Sequence, residues 1–86
     1  MRDGLTIYTQ PGCSHCTAVK RMFTKAGAPY DELRITDEVR EWAISEGLTV
    51  APIVTAKNGD KEYRFCGSRP GDVAHAIDVI EGDHGD

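Results

Sequence analysis

The chain has 86 residues, a formal net charge of −4 at pH 7, an apolar fraction of 40% and a charged fraction of 28%. This length supports one small domain, burying only about 60% of the surface that the unfolded chain exposes, and the composition is that of an ordinary soluble globular protein. Lys and Arg are scattered, which argues against nucleic acid as a partner; the longest apolar runs fall far short of the roughly 18 residues that span a bilayer; and the opening MRDGLTIYTQ has no apolar core of signal-peptide length.

Three cysteines, an odd number, disfavour a secreted disulfide scaffold. A cytoplasmic monomer acting on small molecules or other proteins is expected. In that reducing setting a disulfide is usually transient and catalytic.

The first predicted element is a strand over Leu5–Thr9, where β-formers alternate. Gln10-Pro11-Gly12 breaks it. From Cys13 or Ser14 the period changes: Cys16, Val19, Phe23 and Ala26 recur at spacings of three and four, one face of a helix. Gly27 is the expected C′ residue and Pro29 blocks continuation. A second strand is predicted over Tyr30–Ile35 and a second helix over Asp37–Glu46, with Val39, Trp42 and Ala43 as its apolar stripe and Gly47 at its end.

Ile53–Ala56 reads as a third strand and Lys61–Cys66 as a fourth. Asn58-Gly59 between them is the signal of a type I′ hairpin turn. In the fourth strand Tyr63 and Phe65 share one face, with Glu62, Arg64 and Cys66 on the other. A last helix starts near Pro70, favoured in a first turn, and buries Val73, Ala76 or Ile77, and Ile80. His75 and His84 read as solvent-facing. One domain is expected over residues 1–81, with a flexible acidic tail over residues 82–86.

The order is β-α-β-α-β-β-α. A right-handed crossover makes the first two strands parallel, and the last two form an antiparallel hairpin. Helices then cover both faces of a four-stranded mixed sheet, an α/β domain in three layers.

Cys13-Ser14-His15-Cys16 carries the chemistry, and three readings compete. A structural zinc site needs four ligands, whereas the third cysteine lies fifty residues on and no second Cys or His pair completes a set. Two small buried hydrophobes by coincidence is the bland reading. A redox pair has a mechanism at each step. Cys13, at the start of the helix, meets unpaired N–H groups and the positive end of the dipole, which favour a thiolate. It attacks a substrate disulfide, and Cys16, one turn on and more buried, resolves the mixed disulfide. Helix-terminus placement and the lack of further ligands favour this reading. Pro11-Gly12 would form a turn that exposes the first sulfur. His15 either supports the thiolate, by charge or hydrogen bond, or is an exposed residue in a tolerant loop.

On IYTQPGCSHC, TVAPIVT and FCGSRPGDV the sequence resembles glutaredoxin-type proteins of the thioredoxin superfamily over nearly the whole chain. The last segment is similar to the W-S-G-F-R-P-[DE] signature of NrdH-redoxins, glutaredoxin-like in sequence and thioredoxin-like in behaviour. The resemblance implies a thioredoxin fold, Cys13 as nucleophile and Cys16 as resolving thiol, with no cofactor beyond their disulfide and no metal. It implies that Pro52 is a cis-proline facing the dithiol and that backbone groups of Ala51 pair with a substrate peptide. Gly67, Ser68, Arg69 and Pro70 would form a docking segment near the site.

Phe65, Cys66 and Ser68 replace the family's Trp, Ser and Phe there, and Gly71 intrudes before Asp72. Gln10 stands where glutaredoxins and many NrdH-redoxins carry a lysine that supports the thiolate and, in glutaredoxins, meets the glutathione carboxylate. The C-S-H-C loop is itself atypical. The implied activity is reduction of a protein disulfide, most simply that of ribonucleotide reductase, with recharging by thioredoxin reductase. A glutaredoxin drawing on glutathione or another low-molecular-weight thiol is the alternative, and a zinc or iron–sulfur binding protein a further one. Cys66 reads either as a small residue filling the serine position or as a third redox thiol.

Overall fold

A computed structural model describes residues 4–81. The acidic segment 82–86 and His84 lie outside the described residues. Four strands and three helices follow in the expected order: β1 (Gly4–Thr9), α1 (Ser14–Lys25), β2 (Tyr30–Arg34), α2 (Asp37–Ser45), β3 (Ile53–Asn58), β4 (Lys61–Cys66) and α3 (Pro70–Glu81). The sheet order is β2-β1-β3-β4. β1 and β2 are parallel, and β3 runs antiparallel to both β1 and β4. This is the mixed sheet of a thioredoxin-like fold.

The register decides where the site lies. Tyr8 pairs with Ile53, and Ile53 with Cys66. The exit of β1, the entry of β3 and the exit of β4 therefore meet at one end of the sheet. The segments beyond them are residues 10–13, 51–52 and 67–69.

α1 and α3 cover one sheet face. Leu5 and Ile7 of β1, Val19 and Phe23 of α1, Val54 and Ala56 of β3, Phe65 of β4, and Val73 and Ala76 of α3 form the core between them. α2 lies on the opposite face, where Arg64 of β4 makes an ion pair with Glu46 at 3.3 Å and stands 5.9 Å over the Trp42 ring.

Several expectations are corrected in detail. Ala26 is not on the buried face of α1 but is its exposed C-cap. The chain leaves through a Schellman turn, with the Ala28 N–H on the Phe23 carbonyl at 2.9 Å and the Gly27 N–H on that of Thr24 at 3.0 Å. That turn folds Ala28, rather than Ala26, into the core. α2 ends the same way, Leu48 on Ala43 at 2.8 Å and Gly47 on Ile44 at 3.0 Å. Of its expected stripe only Ala43 is buried, Val39 and Trp42 being half-buried. β2 is an edge strand and mostly exposed.

The β3–β4 hairpin also differs from expectation. Asn58 pairs with Lys61, so the turn residues are Gly59 and Asp60. Positive φ occurs at Gly59 (62°) and at no described non-glycine residue. Gly59 thus takes the first central position, as in a type II′ turn, and not the second of a type I′ turn. Asn58 stays in the strand because its side chain is engaged elsewhere. Its amide donates to the carbonyls of Val79 and Ile80 at 3.0 and 3.3 Å, satisfying late acceptors of α3.

α3 is tied to β4 by Tyr63, whose hydroxyl donates to Asp72 at 2.5 Å while its ring stacks on His75 at 4.1 Å between centroids. His75 is exposed, as expected, but not free of contacts. The Asp72 carboxylate holds the Tyr63 phenol above its ordinary value, with burial a second cause. A raised pKa means that this contribution is complete below about pH 10 and is lost as pH rises through the folded-state value. Tyr63→Phe should destabilise the domain by about 1 kcal/mol near neutral pH. The difference should shrink once the pH passes the tyrosine range. Urea unfolding of both proteins at the two pH values checks this, and an undiminished gap at high pH would refute the bond's role.

Candidate active site

Thr9, the last residue of β1, is buried, and its hydroxyl donates to Glu32 of β2 at 3.0 Å. Lys20 of α1 donates to the two oxygens of the same carboxylate at 3.1 and 3.3 Å. The Lys20 ammonium and then the Thr9 hydroxyl hold the Glu32 carboxyl below the usual range. Thr9 precedes the loop that carries the first cysteine and Lys20 follows the second. One carboxylate thus anchors both flanks of that loop to β2, a tie no local sequence pattern announced.

Between these anchors Pro11 and Gly12 make an exposed turn, with Gly12 at φ 71°, a conformation that glycine adopts without a Cβ penalty. The turn delivers Cys13 as the N-cap of α1 in an extended backbone conformation, φ −100° and ψ 104°. Its sulfur accepts the Cys16 N–H at 3.0 Å. Sulfur here does what a serine or aspartate oxygen does at most helix starts. The same N–H and the dipole behind it favour a negative sulfur once the bond to Cys16 is reduced.

Cys13 and Cys16 are joined by a disulfide, with Cα atoms 5.2 Å apart. Their environments differ. Cys13 is half-buried, whereas Cys16 is 3% exposed on the core side of α1. A partner can reach the first sulfur, and the second can be reached only from within.

Of the remaining expected site residues, Ala51, Pro52 and Gly67 to Arg69 fall in two neighbouring loops. The Ala51–Pro52 bond is cis. Pro52 is buried, and its carbonyl accepts the Gly67 N–H at 3.0 Å, linking the β3 entry to the β4 exit. Ser68 is half-buried, and Arg69 and Pro70 are exposed at the start of α3. Ser14 and His15, in the first turn of α1, are exposed, and His15 Nδ1 is hydrogen-bonded to Ser68 Oγ at 2.8 Å. Gln10 and Ala51 line a groove of about 350 Å³, with Ile35, Arg40, Leu48 and Val50 among its other walls. Arg40 was not expected here; it is an exposed residue of α2, where a charge looks like ordinary solvation. Arg69 has no side-chain bond to the other site residues among those described, so the structure does not draw its charge into the dithiol cluster. Cys66 is a half-buried free thiol at the end of β4, opposite Ile53.

Among the described residues no group of three or more His, Cys, Asp or Glu side chains is placed to hold a metal ion, and no helix is long and apolar enough to cross a membrane.

Comparison with known proteins agrees with this geometry. Residues 5–59 match the glutaredoxin family model. The glutaredoxin-like protein NrdH of Lactococcus lactis subsp. lactis (strain IL1403) is 29% identical over 72 residues, covering 81% of this chain and 94% of the relative. The Gene 56 protein of Mycobacterium phage D29 is 30% identical over 74 residues, 86% of this chain and 82% of the relative. The NrdH-redoxin of Escherichia coli, a glutaredoxin-like protein with a thioredoxin-like activity profile, superposes with a TM-score of 0.67 at 27% identity, over 83% of this chain and 91% of that one. A glutaredoxin of Archaeoglobus fulgidus shares the fold, with a TM-score of 0.60 at 20% identity over 87% of this chain and 86% of that one. With its Cys-x-x-Cys at the head of α1, the chain belongs to the glutaredoxin family, as a thiol–disulfide oxidoreductase homologous to the NrdH-redoxins.

Proposed function

We propose that the protein is a cytosolic dithiol electron donor, with Cys13 as nucleophile and Cys16 as resolving thiol. It reduces a protein disulfide, that of ribonucleotide reductase in the simplest case, and is recharged by thioredoxin reductase. The observation that carries this is the asymmetry of the pair: a half-buried sulfur capping a helix, bonded to one that is 3% exposed. Kinship to NrdH proteins supports the choice of partners. In this reading Gly12 and Pro11 present the nucleophile, and Gln10 and Ser14 border it. Ala51 offers its backbone to an incoming peptide strand beside Pro52. Gly67, Ser68, Arg69 and Pro70 form the adjoining wall.

The groove favours a second reading. Gln10 cannot supply the cation found at this place in glutaredoxins, yet Arg40 lines the same groove. A small thiol bearing a carboxylate would find both a cation and an amide there. The two readings separate in one comparison, turnover of a disulfide substrate with NADPH and thioredoxin reductase against turnover with glutathione and its reductase. The first system is expected to sustain turnover at least about tenfold faster, a difference of roughly 1.4 kcal/mol in transition-state free energy. Faster turnover with glutathione would overturn the first reading in favour of the second.

A further inference from the structure

His15 and Ser68 stand 53 positions apart, and each belongs to a different loop of the site. His15 lies between the two cysteines in the first turn of α1, and Ser68 lies between β4 and α3. The bond between them is 2.8 Å from Nδ1 to Oγ and ties the two loops together. A further tie runs from the Gly67 N–H to the Pro52 carbonyl. A continuous path of contacts therefore leads from Pro52 through Gly67 and Ser68 to His15, and so to the helical turn that holds both sulfurs.

The hydroxyl suits an imidazole in any charge state. It donates to Nδ1 when that nitrogen is bare and accepts from it when it carries a proton. An exposed histidine without an anchor on a helix surface is spread over several rotamers. The anchored ring stays at the turn that carries both cysteines, where an imidazole N–H would favour a thiolate over the disulfide sulfur.

We propose that Ser68 is a positioning residue for the dithiol, acting through His15 to favour the reduced form. The proposal rests on the reading of Cys13 and Cys16 as the exchanging pair. The relevant equilibrium is with dithiothreitol. The Cys13–Cys16 bond breaks and takes up two electrons and two protons, while dithiothreitol loses both and closes its own ring disulfide.

Equilibration of the full chain in dithiothreitol redox buffers, with thiols counted by alkylation and mass spectrometry, tests this. Ser68→Ala should lower the equilibrium constant for reduction by about three- to tenfold, the scale of one hydrogen bond. Ser68→Thr, which keeps the hydroxyl, should restore it to within about twofold of the wild type. Adding Ser68→Ala to His15→Ala should change nothing beyond His15→Ala alone. Circular dichroism confirms that each variant is folded. An unchanged constant in Ser68→Ala overturns the proposal. So does a Ser68→Ala effect of full size on the His15→Ala background, or a loss that threonine fails to rescue. A wild-type chain that takes up no electrons overturns the dithiol reading itself, and the positioning role with it.

Discussion

Cys13→Ser should lose disulfide reduction by on the order of a thousandfold or more, whether insulin or a small disulfide is the substrate. Cys16→Ser should instead stop after one step. In the proposed cycle the Cys13 thiolate attacks a substrate sulfur, one substrate thiol departs and a mixed disulfide forms. Cys16 then attacks Cys13, the second substrate thiol departs, and the two electrons have passed to the substrate. Without Cys16 the mixed disulfide accumulates as a species of added mass, visible by non-reducing electrophoresis and mass spectrometry. The proposed roles rest on burial: Cys16 is 3% exposed and Cys13 is half-buried at the head of α1. Exchanged phenotypes would show that the buried sulfur is the one that attacks the substrate.

The substitution is also structurally quiet. Cys13 occupies the N-cap, and its sulfur accepts the Cys16 N–H at 3.0 Å. Serine is among the preferred N-cap residues and keeps an acceptor in that place. A dead but folded Cys13→Ser protein, with the thermal stability of the reduced wild type, therefore isolates the chemistry from the fold. Retained insulin reduction would exclude the mechanism.

What the sequence made legible was what local periodicity and turn chemistry encode. Cys16, Val19 and Phe23 sit on the buried face that their spacing implied, and Pro70 opens α3. What it hid depends on pairing between distant segments. Asn58-Gly59 announces a turn, but which residues occupy its centre is set by the amide of Asn58 reaching the end of α3. Ala26 fits the helical period, yet the Schellman turn carries Ala28 inward instead. Arg40 enters the groove only because α2 lies beside the loop before Pro52. The Thr9–Glu32–Lys20 tie and the His15–Ser68 bond likewise join elements that no window of adjacent residues contains. The dithiol itself was readable because both of its sulfurs and its helix terminus lie within four consecutive residues.

The same helix that presents the sulfurs carries the largest fully buried side chain, and Phe23→Ala should be the most damaging single change to stability. Phe23 has no exposed surface; it shares the core cluster with Val19 and Ala28, and the Tyr30 ring centroid lies 6.2 Å from its own. Truncating such a phenylalanine costs about 3–5 kcal/mol. A domain of this length holds only roughly 4–13 kcal/mol in total, at about 0.05–0.15 kcal/mol per residue. The variant should therefore melt roughly 15–30 °C lower and lie near the edge of folding at 37 °C. Leu33→Ala on edge strand β2, where the side chain is 46% exposed, should cost less than about 1 kcal/mol. Urea unfolding of the oxidised proteins measures both, and a Phe23→Ala cost below about 1 kcal/mol would show that α1 is not the centre of the core. The contrast with Cys13→Ser separates two duties along one helix. On the proposed reading its first turn tunes sulfur and should tolerate exchange of the capping atom, whereas its later turns hold the sheet. A folded remnant of Phe23→Ala at low temperature should still reduce disulfides, because neither the N-cap bond nor the His15–Ser68 contact involves the phenyl ring.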